Sequence, residues 1–168
     1  MREPRSTQFE NDLRALEPLL LRVAMRSVRE RELARDLTQE ALLHALANHA
    51  QYAGRSTLRT WVLGILAHKV LDALRGRRVA LDGDDDSGLL DTASPHELER
   101  VVMARQDLRR VEGALTQLPA RERLALVLTD IEGLSRDEAC HALGVTATHL
   151  RVILHRGRNR LRRLCERD

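Results

Sequence analysis

Apolar residues recur at steps of three and four along most of the chain, the spacing that places side chains on one face of an α-helix. The first such series predicts a helix from residue 9 onward, whose inward face is formed by Phe9, Leu13, Leu16, Leu20 and Val23. Pro18 interrupts this series, so it either kinks one long helix or marks the first turn of the main one.

The same spacing predicts two further helices in the N-terminal half. One covers residues 31–50, and its inward face is formed by Leu33, Leu37, Ala41 and Ala45. A neighbouring stripe on this helix, which by itself is typical of ordinary solvated surface, is formed by Asp36, Gln39, Glu40 and Leu43. The other helix covers residues 57–75, with an inward face formed by Leu58, Trp61, Val62, Ile65 and Leu66. Residues 52–56 between them are predicted to form a loop.

The composition changes sharply after residue 80. Residues 82–99 contain seven acidic residues and no lysine or arginine, with Gly83, Gly88 and Pro95 as breakers of regular structure. We therefore predict two small helical bundles, residues 1–80 and 97–168, joined by a flexible acidic linker at residues 81–96. No segment alternates with the period of a β-strand, so the predicted fold class is all-α.

The C-terminal half carries the strongest local signals. Ser135 and Glu138 form an S-x-x-E capping box, in which each side chain accepts a hydrogen bond from the backbone N–H of the other residue. Gly144 stands where a chain leaving a helix needs a positive φ, and Thr146 is suited to cap the next helix. A short helix, a glycine turn and a longer helix are typical of a helix-turn-helix that reads DNA.

The second helix of this motif is strongly basic. From residue 145 onward there are seven arginines against Glu166 and Asp168, a balance suited to phosphate contacts. Its exposed face is predicted to carry His149, Arg151, His155, Arg156, Arg158 and Arg160. Because two amphipathic helices around a glycine turn also occur in proteins that never bind DNA, this pattern favours DNA binding without establishing it.

The cysteines, the apolar runs and the histidine spacings disfavour several classes of protein. Cys140 and Cys165 form no C-x-x-C pair, which favours reduced thiols in a cytoplasmic protein. No apolar run approaches the ~18 residues of a membrane span, and the N-terminus has no apolar signal core, so no membrane insertion is predicted. Metal-ligand spacings such as H-x-x-x-H are also missing from the sequence. We therefore predict no metal and no cofactor, and a metal-dependent enzyme is disfavoured.

Three stretches, taken in order, are similar to one family of bacterial transcription factors. Residues 34–46 (ARDLTQEALLHAL) are similar to an acidic, glutamine-containing helix of that family. Residues 57–78 are similar to the helix that follows it, which ends in basic residues, and residues 118–164 are similar to the C-terminal helix-turn-helix domain. With the acidic segment between them, the chain resembles a group-four, extracytoplasmic-function sigma factor of bacterial RNA polymerase.

The resemblance implies a transcription initiation factor without catalytic residues, whose partners are core RNA polymerase and promoter DNA. Polymerase would be bound at its clamp helices and flap tip. The residues that match the clamp-binding positions are Asp36, Gln39 and Glu40, and an acidic helix face suits a basic coiled coil.

The resemblance also implies contacts to the minus-ten promoter element. Tyr52 and His68 match positions that hold an unstacked base, and a phenol ring and an imidazole are suited to stack on a base and to bond its edge. Lys69 and Arg75 are expected to contact phosphates. Many family members carry asparagine where this chain has His68, so the resemblance does not imply which base is read.

For the minus-thirty-five element, the resemblance matches His149, Leu150 and Arg151 to the start of the recognition helix, and Thr146 before them is included among the expected DNA contacts. His149 and Arg151 are the candidates for base edges, and His155, Arg156 and Arg158 are the candidates for the DNA backbone. Ile153 stands where the family often has arginine, so one contact is lost or moved elsewhere.

A separate anti-sigma factor is implied as well, holding both bundles until a signal arrives. The alternative that the residues leave open is a stand-alone helix-turn-helix regulator. Such a protein would use only its C-terminal half and would be indifferent to the change Asp36→Arg.

Overall fold

Helices form almost all of the chain that the structure describes. The computed structural model describes residues 4–80 and 110–166, and these residues contain no β-strand. The α-helices are α1 (Pro4–Ser27), α2 (Arg31–Ala47), α3 (Leu58–Ala80), α4 (110–116), α5 (Ala120–Leu126), α6 (Arg136–Leu143) and α7 (Ala147–Glu166). A 3-10 turn (His49–Gln51) follows α2, and a π-helical turn (Val127–Ile131) extends α5. The all-α prediction is confirmed, while the acidic linker predicted at residues 81–96 lies outside the described residues.

Pro18 lies inside α1, so the second of its two predicted roles is wrong. Its ring removes the hydrogen bond to the carbonyl of Arg14, but both residues are exposed and water can satisfy that carbonyl. The helix α2 ends at Ala47, three residues earlier than predicted. At this end the side-chain amide of Asn48 donates to the carbonyl of His44 at 2.9 Å, and the chain continues in the 3-10 turn, where the N–H of Gln51 donates to the carbonyl of Asn48 at 2.8 Å.

The helix-turn-helix forms as the sequence predicts. The backbone N–H of Ser135 donates to Glu138 Oε2 at 2.9 Å, and the backbone N–H of Glu138 donates to Ser135 Oγ at 3.2 Å. The first of these bonds is the main reason that the pKa of Glu138 is lowered. Gly144 has a φ of +62°, and the N–H of His149 donates to Thr146 Oγ1 at 3.2 Å. Local sequence therefore fixes both helices and the turn between them.

The two predicted bundles pack against each other. We call α1–α3 the N-terminal bundle and α4–α7 the C-terminal bundle. Helix α3 packs on α1 and α2 and also on α5 and α6, so the buried apolar residues form one contiguous core. The backbones of α3 and α6 approach closely at Gly64, where a Cβ atom would lie 3.4 Å from Ala142 Cα. A small residue at this position lets α3 and α6 come together.

A buried arginine ties the bundles together at another point. Arg123 in α5 donates through Nη1 to the carbonyl of Ser27, the last residue of α1. Its Nη2 donates to the carbonyls of Thr116 and Leu118, at 2.8 and 2.9 Å. A buried cation here neutralises carbonyl dipoles at a helix end, where positive charge is favourable.

Candidate nucleic-acid and polymerase interface

The helix α7 presents a polar face away from the core. Its inward side is formed by Leu150, Ile153, Leu154 and Gly157, all buried. The predicted DNA contacts His149, Arg151, His155 and Arg156 are all exposed. His155 is also within 3.0 Å of the side-chain amide of Asn159, one turn further on. The basic face is therefore open to a partner.

Two arginines of α7 are instead held by acids of the C-terminal bundle. Arg158 donates to both carboxylate oxygens of Asp130, from Nε at 2.9 Å and from Nη2 at 2.7 Å. This hydrogen bonding is the largest cause of the lowered pKa of Asp130 and of the raised pKa of Arg158. Arg160 Nη1 lies 3.3 Å from Oε2 of the mostly buried Glu122. The charge of Arg158, predicted to contact the DNA backbone, is thus already paired.

The acidic stripe of α2 is exposed, as expected for a docking surface. Asp36, Gln39 and Glu40 lie in solvent, and Leu43, one turn further on, is 64% exposed. Gln39 donates to Glu17 at 2.9 Å, and Glu40 accepts a hydrogen bond from Lys69 at 3.0 Å. An exposed leucine beside carboxylates suits a partner that is basic and partly apolar.

Tyr52 packs against Trp61 of α3, and His68 lines the same cleft as Trp61. The ring of Tyr52 is 5.3 Å from that of Trp61, and its hydroxyl donates to the carbonyl of Ser56 at 2.8 Å. His68 is exposed, with Nδ1 2.7 Å from the carbonyl of Gly64. Trp61 is half-buried and lines the same cleft as His68. The structure therefore brings the two predicted base contacts to one side of α3.

The C-terminal bundle partly covers this side of α3. A cleft of about 480 Å³ lies on this side of α3, and its lining includes His44, His68 and Lys69 and, from the C-terminal bundle, His141. At the turn after α6, a Cβ on Gly144 would lie 3.8 Å from His68 Nε2. Of the other predicted phosphate contacts, Arg75 is exposed and pairs with Asp72 at 3.1 Å.

The part of the chain that the structure describes holds no group of three or more His, Cys, Asp and Glu residues placed to bind a metal ion. Within the same residues no helix combines the length and apolar character that crossing a membrane requires. Both cysteines are free thiols, and the pKa of Cys140 is raised, first by burial and then by Asp137.

Comparison with protein families explains why these surfaces occur in one chain. Residues 13–79 match the family model for Sigma-70 region 2, and residues 108–161 match that for Sigma-70 region 4. The chain belongs to the sigma-70 family of RNA polymerase sigma factors. Such a protein binds core RNA polymerase and directs it to promoter DNA. The match of the N-terminal half removes the support for a stand-alone helix-turn-helix regulator.

Individual relatives place the sigma factor among the extracytoplasmic-function members. It is 30% identical to a probable RNA polymerase sigma factor of Haemophilus influenzae, over 89% of this chain and 86% of the relative. It is 32% identical to the extracytoplasmic-function sigma factor SigC of Mycobacterium tuberculosis, over 76% of this chain and 68% of that protein. The extracytoplasmic-function sigma factor SigX of Bacillus subtilis is 27% identical over 83% of this chain and 74% of its own.

Two solved structures have the same fold over nearly the whole chain. The sigma factor RpoE of Bartonella quintana, solved in complex with the anti-sigma factor NepR, superposes with a TM-score of 0.76 at 27% identity. That superposition covers 96% of this chain and 98% of RpoE. CnrH, solved in complex with the cytosolic domain of CnrY, superposes with a TM-score of 0.67 at 24% identity, covering 97% and 96% of the two chains.

A carboxylate of the C-terminal bundle joins it to the N-terminal bundle in this sigma factor. The Glu132 side chain is only 8% exposed and lies 2.8 Å from Arg26 and 3.5 Å from Arg22, both in α1. Its backbone carbonyl accepts a hydrogen bond of 2.7 Å from Arg59 of α3. Sequence reasoning missed Glu132 because its partners are 110, 106 and 73 residues away, and no local pattern marks such pairs.

The substitution Glu132→Gln should loosen this contact. The amide keeps the shape but loses the charge that two arginines share, so we expect a loss of about 1–2 kcal/mol of unfolding free energy. We also expect a larger radius of gyration in small-angle X-ray scattering as the bundles separate. The matched control is Glu32→Gln, whose partner Arg35 lies at 3.0 Å in an exposed pair worth about 0.5 kcal/mol or less. Equal effects of the two variants would show that Glu132 is not a fastening contact.

The structure also accounts for Ile153. This residue is buried and lines a small crevice with Leu71 of α3 and with Leu143 and Val145 of the helix-turn-helix. An arginine at this position would have to bury its charge between the bundles, which is costly without a partner. Ile153 therefore serves the contact between the bundles.

Proposed function

We propose that the two bundles divide promoter recognition between them, with residues 1–80 acting as sigma region 2, residues 97–168 as region 4 and residues 81–96 as the connector. In region 2, Tyr52 and His68 hold a base of the minus-ten element while Lys69 and Arg75 contact phosphates. In region 4, the helix capped by Thr146 enters the minus-thirty-five element. His149 and Arg151 read bases there, and His155 and Arg156 contact the backbone. Arg158 adds a backbone contact through Nη1, the nitrogen that does not bond to Asp130.

The polymerase surface is the stripe of Asp36, Gln39 and Glu40, which docks on the clamp helices, while the C-terminal bundle contacts the flap tip. The observation that carries this proposal is the pairing of an exposed acidic stripe on α2 with an exposed basic face on α7. Opposite charges on separate surfaces suit a protein that joins a basic coiled coil to DNA.

Control by an anti-sigma factor that holds both bundles completes the proposal. Its support is the superposition, over nearly the whole chain, on a sigma factor solved with its anti-sigma factor. The protein performs no covalent chemistry and needs no cofactor. It acts in the cytoplasm, because polymerase and promoter DNA are there.

Run-off transcription tests this function. Purified sigma factor and core polymerase should yield transcripts from extracytoplasmic-type promoters and none from core polymerase alone. Failure to obtain a promoter-specific transcript from any such template would refute the proposal.

The substitution Arg151→Ala should weaken binding of the holoenzyme to the minus-thirty-five element by about 1–3 kcal/mol and relax preference at one base pair. Arg151 is exposed, so its truncation should leave folding unchanged. The measurement is a competition titration against single-base variants of the element. An equal loss on every sequence would make Arg151 a phosphate contact, contrary to its proposed role.

A further inference from the structure

The outward face of α7 contains an exposed branched apolar residue. Val152 is 40% exposed, whereas Leu150, Ile153 and Leu154 beside it are buried. Valine is a weaker helix former than alanine, because its branched side chain loses rotamer freedom in a helix. Its side chain is not needed for the core and is free to contact a partner.

Two ion pairs fix the direction in which Val152 points. Arg158 is held by Asp130 and Arg160 by Glu122, so residues 158 and 160 flank the inward side of α7. Successive helical residues are turned by about 100°, which places the midpoint of the outward arc at residue 159. Residue 152 lies seven positions earlier, within about 20° of the same direction. Val152 therefore points almost directly away from the core.

The residues around Val152 are polar or basic. On a helix its neighbours are three and four positions away, and these are Thr148, His149, His155 and Arg156. All four are exposed. The result is a single apolar spot inside a ring of hydrogen-bonding groups, near the N-terminal end of the helix.

This arrangement matches one chemical feature of duplex DNA. Phosphates and most base-edge atoms are polar, but each thymine presents its 5-methyl group in the major groove. A recognition helix places its N-terminal residues against base edges in that groove. Apolar contact with the methyl group would remove both Val152 and the methyl carbon from water.

We propose that Val152 is a specificity-determining residue that reads a thymine methyl group in the upstream promoter element. The inference rests on the proposed function of α7 and adds to it a base preference that the arginines do not supply. His155 and Arg156, one turn further along, hold the helix on the backbone while Val152 contacts the base.

The test removes the methyl group alone. Holoenzyme of the full chain with core polymerase first selects upstream elements from a random-sequence duplex pool. Each thymine of a selected element is then replaced by deoxyuridine, and binding is measured by competition. We expect about a fourfold loss at one position for the wild type, the effect of one buried methyl group, and no loss at that position for Val152→Ala.

Two further variants act as controls. Val111→Ala removes a valine of α4 that is 38% exposed, about as exposed as Val152. This variant should still lose binding about fourfold when the thymine is replaced by deoxyuridine. Val152→Thr keeps the branched shape but adds a hydroxyl group, and it should weaken the response. Circular dichroism checks that each variant is folded.

The outcomes separate this inference from the function on which it rests. Equal binding of thymine and deoxyuridine duplexes at every position, a methyl response that persists in Val152→Ala, or selected elements without thymine would overturn the role of Val152. Arg151→Ala would still reduce binding in those cases. If the holoenzyme shows no preference for any upstream element, the proposed function of α7 fails as well.

Discussion

Reversing the charge of Asp36 with arginine should lower the affinity of the sigma factor for core RNA polymerase by on the order of 100-fold. Asp36 is exposed at the start of the acidic stripe, where the proposed partner surface is basic. Placing like charges against each other at an interface costs several kcal/mol, in addition to the attraction that is lost. Because the residue does not contribute to the core, the unfolding free energy should be unchanged.

The measurement is a fluorescence titration of labelled sigma factor with core polymerase at several salt concentrations. The matched control is Asp12→Arg, the same charge reversal at an exposed position of α1. An affinity loss that is the same for both variants would indicate a general effect of net charge. In that case α2 would not be the docking surface.

Replacing Arg123 by methionine should lower the free energy of unfolding by more than Glu132→Gln does. The variant leaves the carbonyls of Ser27, Thr116 and Leu118 without their charged donor in a buried region. Hydrogen bonds to charged groups contribute about 1.5–3 kcal/mol each, so we expect a loss of at least about 3 kcal/mol. For a chain of this size that corresponds to a drop in Tm of roughly 10 °C.

Urea unfolding and thermal melting measure this effect. Arg121→Met changes an exposed arginine of the same helix and should alter the unfolding free energy by less than about 0.5 kcal/mol. Arg123→Lys keeps the charge but has no forked guanidinium, so it should recover only part of the loss. If Arg121→Met and Arg123→Met were equally stable, Arg123 would not join the bundles.

Sequence patterns predicted the structure correctly where the interactions are local. The capping box of Ser135 and Glu138, the left-handed Gly144 and the cap at Thr146 each involve residues within a few positions of one another. The helical period likewise identified the inward face of α2, because burial follows the spacing of apolar residues. For α3 it was right only in part, since Val62 and Leu66 are buried but Leu58, Trp61 and Ile65 are half-buried, and the buried Leu63 and Val70 were not predicted. These local rules predicted the all-α fold and the exposed basic face of α7.

The contacts between the bundles could not be predicted in this way. Arg123 and Ser27 are 96 residues apart, and Glu132 and Arg26 are 106 residues apart. Charged residues are usually exposed, so a sequence offers no reason to bury Arg123. The π-helical turn before Glu132 was missed for a related reason, since no local signal distinguishes it from an α-helix.

Pairing within the protein also changes how the basic helix should be interpreted. In a count of charges from the sequence, Arg158 and Arg160 contribute as much positive charge as Arg151. In the structure, however, Arg158 pairs with Asp130 and Arg160 with Glu122. The charge available to DNA is therefore concentrated on the outward arc of α7. The exposed Val152 at the centre of that arc has no charge and was overlooked for that reason.

Equilibrium binding of the purified chain to core RNA polymerase tests the central claim most directly. A sigma factor of this family, freed of any inhibitor protein, should bind core polymerase saturably and with one-to-one stoichiometry. The Asp36→Arg variant should bind far more weakly under the same conditions. A folded, inhibitor-free chain that shows no binding to core polymerase would contradict the account.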